Sequence, residues 1–539
     1  MTARGKKSLG ESLVDEGIIT EQQLKEARLE EKRTGQRLRL VLVKMGLIAE
    51  EDLVAFLSTK LGLPRMELDN YLIDQKVIDL VPEALARKYE LIPVLKIGNR
   101  LTCAMLDPWN VFALDEMRMK TNFTVEPAIA TASEIKKALN QYYGAKGTME
   151  DLIKTIDERK LGIKNGEEVD TKKLQDIVEE PVVIKLVNLI IMKAVQQGAS
   201  DIHIEPEEEE IKLRLRVDGM LHEEPSPPKY LQSAIASRIK IMAKLNIAER
   251  RKPQDGRFNI NMQGRKIDVR ISCMPTIYGE NIVLRLLDIS SALLGLGELG
   301  FSEQVLNKYQ GLISRPHGIV LVTGPTGSGK TTTLYASLSK INTVEKNIIT
   351  IEDPVEYRLE GIRQIQINPA VDLTFAKGLR SILRQDPNII MVGEMRDAET
   401  AAIAIQAALT GHLVFSTLHT NDAPGAITRM VDMGVEPYLV ASSVIGVLAQ
   451  RLVRTVCKDC KAKGCSKCMN TGYKGRIGIY ELMVINDDIR NLISAKKPVE
   501  EIRKKAIESG MISLKDDGNK KVKEGLTTME EVLRMTEET

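Results

Sequence analysis

The sequence predicts an α/β protein, with a large α/β domain at the C-terminal end and smaller domains before it. After residue 300, strand-like apolar runs alternate with helical patterns, which is the element order of an α/β domain. Between residues 181 and 290, "SDIHIEP", "IKLRLRVDG" and "RKIDVRISCMP" alternate apolar and polar residues with the period typical of β-strands. The first 145 residues mix helical patterns with short apolar runs. A chain of 539 residues accommodates several such domains.

The N-terminal domain contains an internal repeat. "LGESLVDEGIITEQQL" from Leu9 matches "LRLVLVKMGLIAEEDL" from Leu38, and each copy has apolar pairs, a glycine turn and then acidic residues. This pattern predicts a helix, a turn and a second helix in each copy. We therefore expect a helical repeat over residues 8–60 and a small α/β unit from there to residue 145.

Changes in composition mark the remaining boundaries. Residues 146–180 are charged and poor in aromatic side chains, which predicts a linker. A second domain is expected over 181–290, where the strand-like patterns lie. The glycine-rich "SALLGLGELG" predicts a hinge over 291–300, and the α/β domain then occupies 301–539.

Charge and hydropathy limit the classes of function. A net charge of +2 and an aromatic content of 4% argue against a nucleic-acid-binding protein. We see no signal peptide in "MTARGKKSLGESL" and no apolar run long enough to span a bilayer. We therefore expect a cytoplasmic protein with reduced thiols, whose membrane role comes through partners.

The most specific motif is a phosphate-binding loop. An apolar strand leads into "GPTGSGKT", and a helical pattern follows, which is the context that G-x-x-x-x-G-K-T requires. Backbone N–H groups of such a loop cradle phosphate oxygens, Lys330 reaches the outer phosphates and the Thr331 hydroxyl ligates Mg²⁺. The sequence therefore predicts ATP and Mg²⁺ as ligands. The expected binding residues are Gly324, Pro325, Thr326, Gly327, Ser328, Gly329, Lys330, Thr331 and Thr332.

Two further strand ends carry acidic residues. "NIITIEDPVEY" ends a strand at Glu352, and "NIIMVGEMRD" ends another at Glu394. We expect both carboxylates at the sheet edge that holds the phosphate loop, because ligands of doubly wound sheets bind there. His412 and His419 bracket the strand in "GHLVFSTLHT", and its polar far end suits a phosphate sensor.

Four of the six cysteines lie in "CKDCKAKGCSKC". Two C-x₂-C pairs supply the four thiolates of a structural Zn²⁺ site. A redox centre needs only one pair, and disulfides are not expected in a reducing compartment. The predicted zinc ligands are Cys457, Cys460, Cys465 and Cys468.

Taken together, "GPTGSGKTTTLY", "ITIEDPVEY", "LRSILRQDPNIIMVGEMRD" and "LTGHLVFSTLHTND" resemble the secretion ATPase family. That family includes type II secretion ATPases, type IV pilus assembly ATPases and pilus retraction ATPases. The resemblance is strong over residues 181–539 and looser over the first 145. It implies a RecA-like P-loop ATPase domain with an inserted zinc knuckle at 457–468, a small α+β (PAS-like) domain before it, and an N-terminal helical and α+β docking domain.

The resemblance also implies roles for single residues. Glu352 falls in the acidic box as the catalytic base, and Glu394 falls in the Walker B motif. His412 and His419 fall in the histidine box.

Arginines from a neighbouring subunit are expected to reach the γ-phosphate in this family. The matching positions are Arg270 and Arg285, and Arg380 and Arg384 are further candidates. A permanently charged, planar guanidinium suits that task.

The implied activity is MgATP hydrolysis in a ring, expected to be a hexamer, at the inner membrane. Such a motor pushes on a polytopic platform protein and lifts pilin-like subunits into a filament. The cysteine cluster and the long N-terminal region disfavour retraction. "RPHGIVLVTG" and "GVLAQRLVRTVC" favour type II secretion over type IV pilus assembly, which stays the alternative. A DNA-translocating motor and a non-hydrolysing scaffold are less favoured.

The N-terminal repeat resembles a domain that binds cyclic di-GMP in some relatives. That pattern begins each repeat with R-L-G, whereas this chain has Ser8 before the first Leu-Gly and Arg39 in place of the second glycine. Glu31 and Lys60 stand where glutamines are expected, and a glutamate repels phosphate. We therefore expect this domain to dock on a membrane-anchored cytoplasmic adaptor rather than to bind the dinucleotide.

Overall fold

The computed structural model describes residues 9–36, 38–108, 110–143, 180–288 and 294–536. The chain forms two compact units, Met1–Asp288 and Ile289–Thr539. The predicted linker lies outside the described residues except for Glu180, as do residues 291–293 of the predicted hinge. The described part of that hinge contains a short 3₁₀ turn, Leu296–Glu298.

Both copies of the N-terminal repeat form a pair of helices. These are α1 (Leu9–Asp15), α2 (Glu21–Thr34), α3 (Leu38–Lys44) and α4 (Glu50–Leu61). Thr20 begins α2 with a capping box, because its hydroxyl accepts from Gln23 N while the Gln23 side chain accepts from Thr20 N. Leu13 and Leu42, at matching positions of the two copies, are both fully buried in one core.

The rest of the first unit contains two sheets. Its elements are β1 (Tyr71–Leu72), α5 (Gln75–Ile78), α6 (Glu83–Lys88), β2 (Leu91–Ile97), β3 (Arg100–Met105), α7 (Val111–Thr121), β4 (Thr124–Ile129), α8 (Ala132–Tyr143), α9 (Pro181–Gln197), β5 (Ala199–Pro206), β6 (Ile211–Val217), β7 (Met220–Glu224), α10 (Gln232–Met242), β8 (Gln254–Met262), β9 (Arg265–Thr276) and β10 (Gly279–Asp288). The small sheet has the order β2-β3-β4, and the large sheet has the order β1-β8-β9-β10-β5-β6-β7.

The two-residue strand β1 crosses the predicted boundary between the first domain and the second. It pairs in parallel with β8, so a segment of the N-terminal domain adds a strand to the sheet of the next domain. Sequence patterns do not show a pairing this short, because two residues carry no periodicity.

The second unit is a mostly parallel sheet with helices on both faces, which confirms the predicted α/β domain. Its elements are α11 (Glu303–Ile313), β11 (Gly318–Thr323), α12 (Lys330–Ile341), β12 (Ile348–Glu352), β13 (Arg363–Gln366), α13 (Phe375–Ile382), β14 (Ile389–Val392), α14 (Ala398–Leu409), β15 (Leu413–Leu418), α15 (Ala423–Asp432), α16 (Pro437–Ser443), β16 (Val444–Val456), β17 (Tyr473–Val484), α17 (Asp487–Ser494), α18 (Val499–Glu508), α19 (Leu514–Lys523) and α20 (Met529–Thr536). The sheet order is β13-β12-β14-β15-β11-β16-β17, with β17 antiparallel.

The central strand β11 shows why the sheet needs helices on both faces. All six of its residues are buried. Ile319 and Leu321 pack in the core layer that holds α14 and α15, whereas Val320 and Val322 pack in the opposite layer with α11 and α12. A strand that is apolar on both faces is typical of a parallel sheet covered on both sides.

The C-terminal helix α20 is fixed to strand β16 by a buried carboxylate. Glu531 is 1% exposed and accepts hydrogen bonds from Arg454 Nη2 at 2.5 Å and from Arg534 Nη2 at 2.8 Å. Burial favours the neutral acid, but these guanidinium hydrogen bonds prevail and lower the pKa of Glu531 to about 2.

We expect Glu531→Gln to lower the free energy of unfolding of the C-terminal unit by about 3 kcal/mol at pH 7, because it leaves Arg454 buried without its counter-ion. The folded-state pKa lies below that of the unfolded chain, so this contribution is complete above pH 4.5 and declines as the pH falls towards 2. Urea unfolding at pH 7 and pH 3.5 measures both effects. Exposed Glu530→Gln is the control, and equal midpoints for the two variants would refute the assignment.

Candidate active site

The phosphate-binding loop joins β11 to α12. Gly327 and Gly329 have φ of 80° and 87°, a left-handed conformation that glycine adopts without strain. A Cβ at Gly329 would lie 2.7 Å from Gln450 Nε2 on β16, so the neighbouring strand also requires glycine here. Helix α12 starts at Lys330, which places its free N–H groups and positive dipole end at the loop. The buried Ser328 hydroxyl has no hydrogen-bond partner in the described residues.

Lys330 lies against the loop, where its Nζ donates to Gly324 O at 2.8 Å and to Pro325 O at 3.0 Å. Burial and the nearby Arg451 lower the pKa of Lys330 to about 8, although the Glu394 carboxylate opposes this shift. A phosphate beside this ammonium would raise the pKa again, because a nearby negative charge favours the protonated form.

The predicted acids and one predicted histidine follow the ends of adjacent strands. Glu352 ends β12, Glu394 follows β14 and His419 follows β15, in the order of the sheet beside β11. Their registers coincide, since Ile351 pairs with Val392, Val392 with Ser416, and Thr323 with Leu418. The carboxyl edge of the sheet therefore carries all three side chains and the phosphate loop.

Glu352 is held by three donors. Its side chain is buried, Thr350 Oγ1 donates to Oε1 at 2.6 Å and Gln364 Nε2 donates to Oε1 at 3.2 Å. The Tyr335 hydroxyl, on α12, donates to Oε2. Burial raises the pKa of Glu352, and the three hydrogen bonds oppose that rise.

Glu394 is the carboxylate next to Lys330, and it has basic neighbours of its own. His419 Nε2 lies 3.4 Å from Glu394 Oε2, and Arg396 Nη2 lies 2.6 Å from Glu394 Oε1. The loop after β15 is fixed to the phosphate loop through Thr323, whose Oγ1 lies 2.7 Å from Thr420 Oγ1.

His412 is not brought to this site. It precedes β15 at the amino edge of the sheet, with Nδ1 2.8 Å from Ala407 O. The six residues of β15 span about 20 Å, so His419 lies at the edge of the sheet that carries the phosphate loop and His412 lies at the opposite edge.

The predicted arginines of the first unit form a cross-strand pair. Arg270 on β9 and Arg285 on β10 are direct partners in the antiparallel register. Like charges placed opposite each other destabilise a sheet, and two carboxylates offset this repulsion. Arg270 Nε lies 3.7 Å from Asp268 Oδ2, and Arg285 Nε lies 3.0 Å from Asp201 Oδ1.

The other two candidate arginines belong to the second unit. Arg380 Nη2 on α13 donates to Glu399 Oε1 at 2.6 Å, and Arg384 Nη1 donates to Arg380 O at 3.0 Å. Both side chains are therefore engaged with neighbours on the surface of this unit.

The four cysteines of residues 457–468 converge. Their Sγ atoms lie within 4.8 Å of one another, at 3.9 Å for Cys457 and Cys465 and at 3.7 Å for Cys460 and Cys468. Four sulfurs around Zn²⁺ at about 2.3 Å would be about 3.8 Å apart, so the side chains fit a tetrahedral site. Cys465 N also donates to Cys468 Sγ at 3.2 Å, as expected for a thiolate.

Comparison with known proteins identifies the family. The model of the family "Type II/IV secretion system protein" matches residues 176–534, which is well over half of the chain. The chain belongs to this family. A second model, the MshEN domain, matches residues 61–149, the small α/β part of the first unit.

Two relatives match this secretion ATPase along nearly their whole length. The type IV pilus assembly ATPase PilB of Myxococcus xanthus is 44% identical, and the type II secretion system protein E of Xanthomonas campestris pv. campestris is 43% identical. In both cases 98% of each chain is covered. The X-ray structure of the Yersinia pseudotuberculosis ATPase DotB, at a TM-score of 0.55 and 22% identity over 66% of this chain and 94% of DotB, shows a shared fold.

Sequence reasoning missed three residues of the secretion ATPase site. Tyr335 and Gln364 hold Glu352, and Arg451 on β16 is buried beside Lys330, with Nη2 3.2 Å from Asn421 Oδ1. Tyr335 lies in the quoted phosphate-loop motif, five residues after Lys330, but only the packing of α12 on β12 shows that its hydroxyl meets the acid.

We expect Tyr335→Phe to lower kcat for MgATP about tenfold with little change in KM. Loss of a hydrogen bond to a carboxylate costs about 1.5 kcal/mol, and it raises the pKa of Glu352 further because the charged form loses a donor. The acidic limb of the pH–rate profile should therefore move to higher pH.

Tyr309→Phe is the matched control. Tyr309 is a buried residue of α11, and its hydroxyl lies 2.9 Å from Ser337 Oγ on α12 rather than at Glu352. If both phenylalanine variants have the same pH profile as the parent, Tyr335 has only a packing role.

Proposed function

We propose that this secretion ATPase is a MgATP-driven motor that assembles pilin-like subunits at the inner membrane for type II secretion. The observation that carries the proposal is the alignment of the phosphate loop, Glu352, Glu394 and His419 along one sheet edge. The full-length likeness to a type II secretion system protein E supports it. Type IV pilus assembly is the second candidate, favoured by the equally extensive likeness to a pilus assembly ATPase.

The chain's own residues divide the work of phosphoryl transfer. The loop N–H groups and Lys330 hold the phosphates, and Glu352 accepts a proton from the attacking water, with a pKa that burial raises. Thr331 and Glu394 would hold Mg²⁺, which neutralises charge on the phosphate oxygens when it is bound. His419 senses the phosphates through its contact with Glu394.

Arg270 and Arg285 act on the site of a neighbouring subunit. Their side chains lie at matching positions on adjacent strands, so together they offer a double guanidinium fork to one anion. Asp268 and Asp201 offset the repulsion between the two guanidinium groups until these groups reach the γ-phosphate. A site completed by its neighbour requires an oligomer, which we propose is a closed hexameric ring.

The proposed role in type II secretion also includes a structural metal ion and protein partners. Cys457, Cys460, Cys465 and Cys468 hold a structural Zn²⁺, supported by the convergence of their sulfurs. The motor pushes on a polytopic platform protein, and the N-terminal domain docks on a membrane-anchored adaptor. No helix among the described residues has the length and apolarity to cross a bilayer.

We assign no cyclic di-GMP site to the N-terminal repeat. Glu31 Oε1 accepts from Leu38 N at 2.9 Å, and Lys60 pairs with Glu16. The two positions at which the dinucleotide-binding pattern has glutamines are thus occupied by charged side chains engaged within the repeat. The neutral net charge likewise gives no support to a nucleic acid partner.

Mixing two variants tests the shared site. Glu352→Gln removes the base from a subunit's own site, and Arg270→Ala removes the arginine given to the next subunit. Each variant alone should hydrolyse MgATP at a few per cent of the parent rate or less, because a catalytic base contributes a factor on the order of 10² to the rate. A mixed ring should recover activity, because some interfaces pair an intact base with an intact arginine.

Subunit exchange is checked by mixing the parent with differently tagged parent chains and recovering both tags in one ring. If exchange occurs and the two variants restore nothing, Arg270 does not act between subunits. If Arg270→Ala hydrolyses ATP like the parent, the assignment of this arginine fails outright.

A further inference from the structure

The loop after β15, residues 419–423, is held by a different element at each residue. His419 contacts the acid that follows β14, and Thr420 is hydrogen-bonded to the end of β11. Asn421 Oδ1 accepts from Arg451 Nη2, on β16, at 3.2 Å. Three consecutive side chains therefore tie this loop to the part of the sheet that carries the phosphate site.

The last two residues of the 419–423 loop are held by the C-terminal part of the unit. Asp422 Oδ2 forms an ion pair with Arg503 on α18, 81 residues further along the chain. Asp422 Oδ1 accepts from Gly425 N at 2.7 Å and so caps α15. Glu481 Oε1, on β17, accepts from Ala423 N at 2.9 Å. One carboxylate, that of Asp422, thus both caps α15 and joins it to a helix outside the phosphate site.

Helix α18 has a fixed place beside α15. Its residues Ile502 and Ala506 are buried in the same core as Ala423 and Ile427 of α15. The Arg503 side chain is 41% exposed and reaches from α18 to the start of α15. The backbone that carries this guanidinium is therefore set by packing, while the charge itself stays at the surface.

The charge of Arg503 acts on two carboxylates at the start of α15. Burial raises the pKa of Glu481, the nearby Asp422 raises it further, and Arg503 lowers it. Without the guanidinium, two acids would repel each other at the turn that follows His419. A partly exposed ion pair adds little to folding stability, so the main effect of this contact is on the position of the loop.

We propose that Arg503 is a positioning residue for MgATP hydrolysis, which holds the 419–423 loop so that His419 stays beside Glu394. The role rests on the proposed function, in which Glu394 holds Mg²⁺ and His419 senses the phosphates. Arg503 lies on α18 and not at the sheet edge, so it acts through Asp422 rather than on the nucleotide. The C-terminal helices would then contribute to turnover from outside the phosphate site.

The test is steady-state hydrolysis of MgATP by the full chain. Arg503→Ala should lower kcat about tenfold and leave KM within about twofold, because a small displacement of an orienting group slows the reaction more than it weakens binding. Arg503→Lys keeps the charge and should recover most of the lost rate. Asp422→Asn keeps an oxygen for the helix cap but loses the charge, so it should be about as slow as Arg503→Ala.

A double-variant cycle shows whether Arg503 acts through His419. His419→Ala should be slower than Arg503→Ala, and the variant with both substitutions should be about as slow as His419→Ala alone. Two independent residues would give losses that multiply, and that result would overturn the proposal. A purely structural role of Arg503 would also give multiplied losses, together with a lower urea midpoint.

Lys505→Ala is the matched control. Lys505 lies on the same helix, and its Nζ is 3.0 Å from Asp488 Oδ2 on α17, in an ion pair at the surface. This variant should hydrolyse MgATP like the parent, and an equal loss would show a general effect of surface charge on α18 and overturn the proposal. Urea midpoints compare the folding of all variants. If Arg503→Ala unfolds more readily than the parent, Asp422→Asn, which keeps the helix cap, decides the question.

Failure of this role and failure of the proposed function give different results. If His419→Ala is slow and Arg503→Ala matches the parent, Arg503 has no positioning role and the proposed function stands. If His419→Ala itself matches the parent, the sensing role in the proposed function fails, and the role of Arg503 fails with it.

Discussion

The feature on which the rest of the second unit depends is the common register of four parallel strands, β12, β14, β15 and β11. Because their carboxyl ends coincide, residues far apart in sequence reach one edge without any long side chain or strained loop. Helices on both faces keep these four strands buried along their whole length. Nucleotide chemistry at this edge thus depends on packing elsewhere in the domain.

The residues at this edge fall into two groups. Some carry a charge, and others hold a charged side chain in place. The Glu394 carboxylate raises the pKa of Lys330 at the phosphate loop, whereas Glu352 is buried and accepts hydrogen bonds from Tyr335, Thr350 and Gln364. A buried carboxylate with several donors keeps one orientation, and its environment sets its pKa. A hydrogen bond between Thr323 and Thr420 connects the end of β11, where the phosphate loop begins, to the loop after β15.

Sequence patterns predicted the phosphate loop, the strand ends and the cluster of four cysteines, because each depends on local spacing. They did not predict Tyr335 as the partner of Glu352, since that contact is set by how α12 packs on β12. His412 and His419 lie at opposite ends of β15, as their positions on either side of the strand predicted. The pairing of β1 with β8 was missed, because two residues have no pattern.

The most direct test of the account compares nucleotide affinity with turnover in Glu352→Gln, with exposed Glu360→Gln as the control. The structure predicts that MgATP affinity stays within about twofold of the parent, because the phosphate loop is untouched, while turnover falls by about 100-fold or more. The control should match the parent in both. Turnover by Glu352→Gln at the parent's rate would contradict the account, and the base would have to be sought elsewhere on the edge.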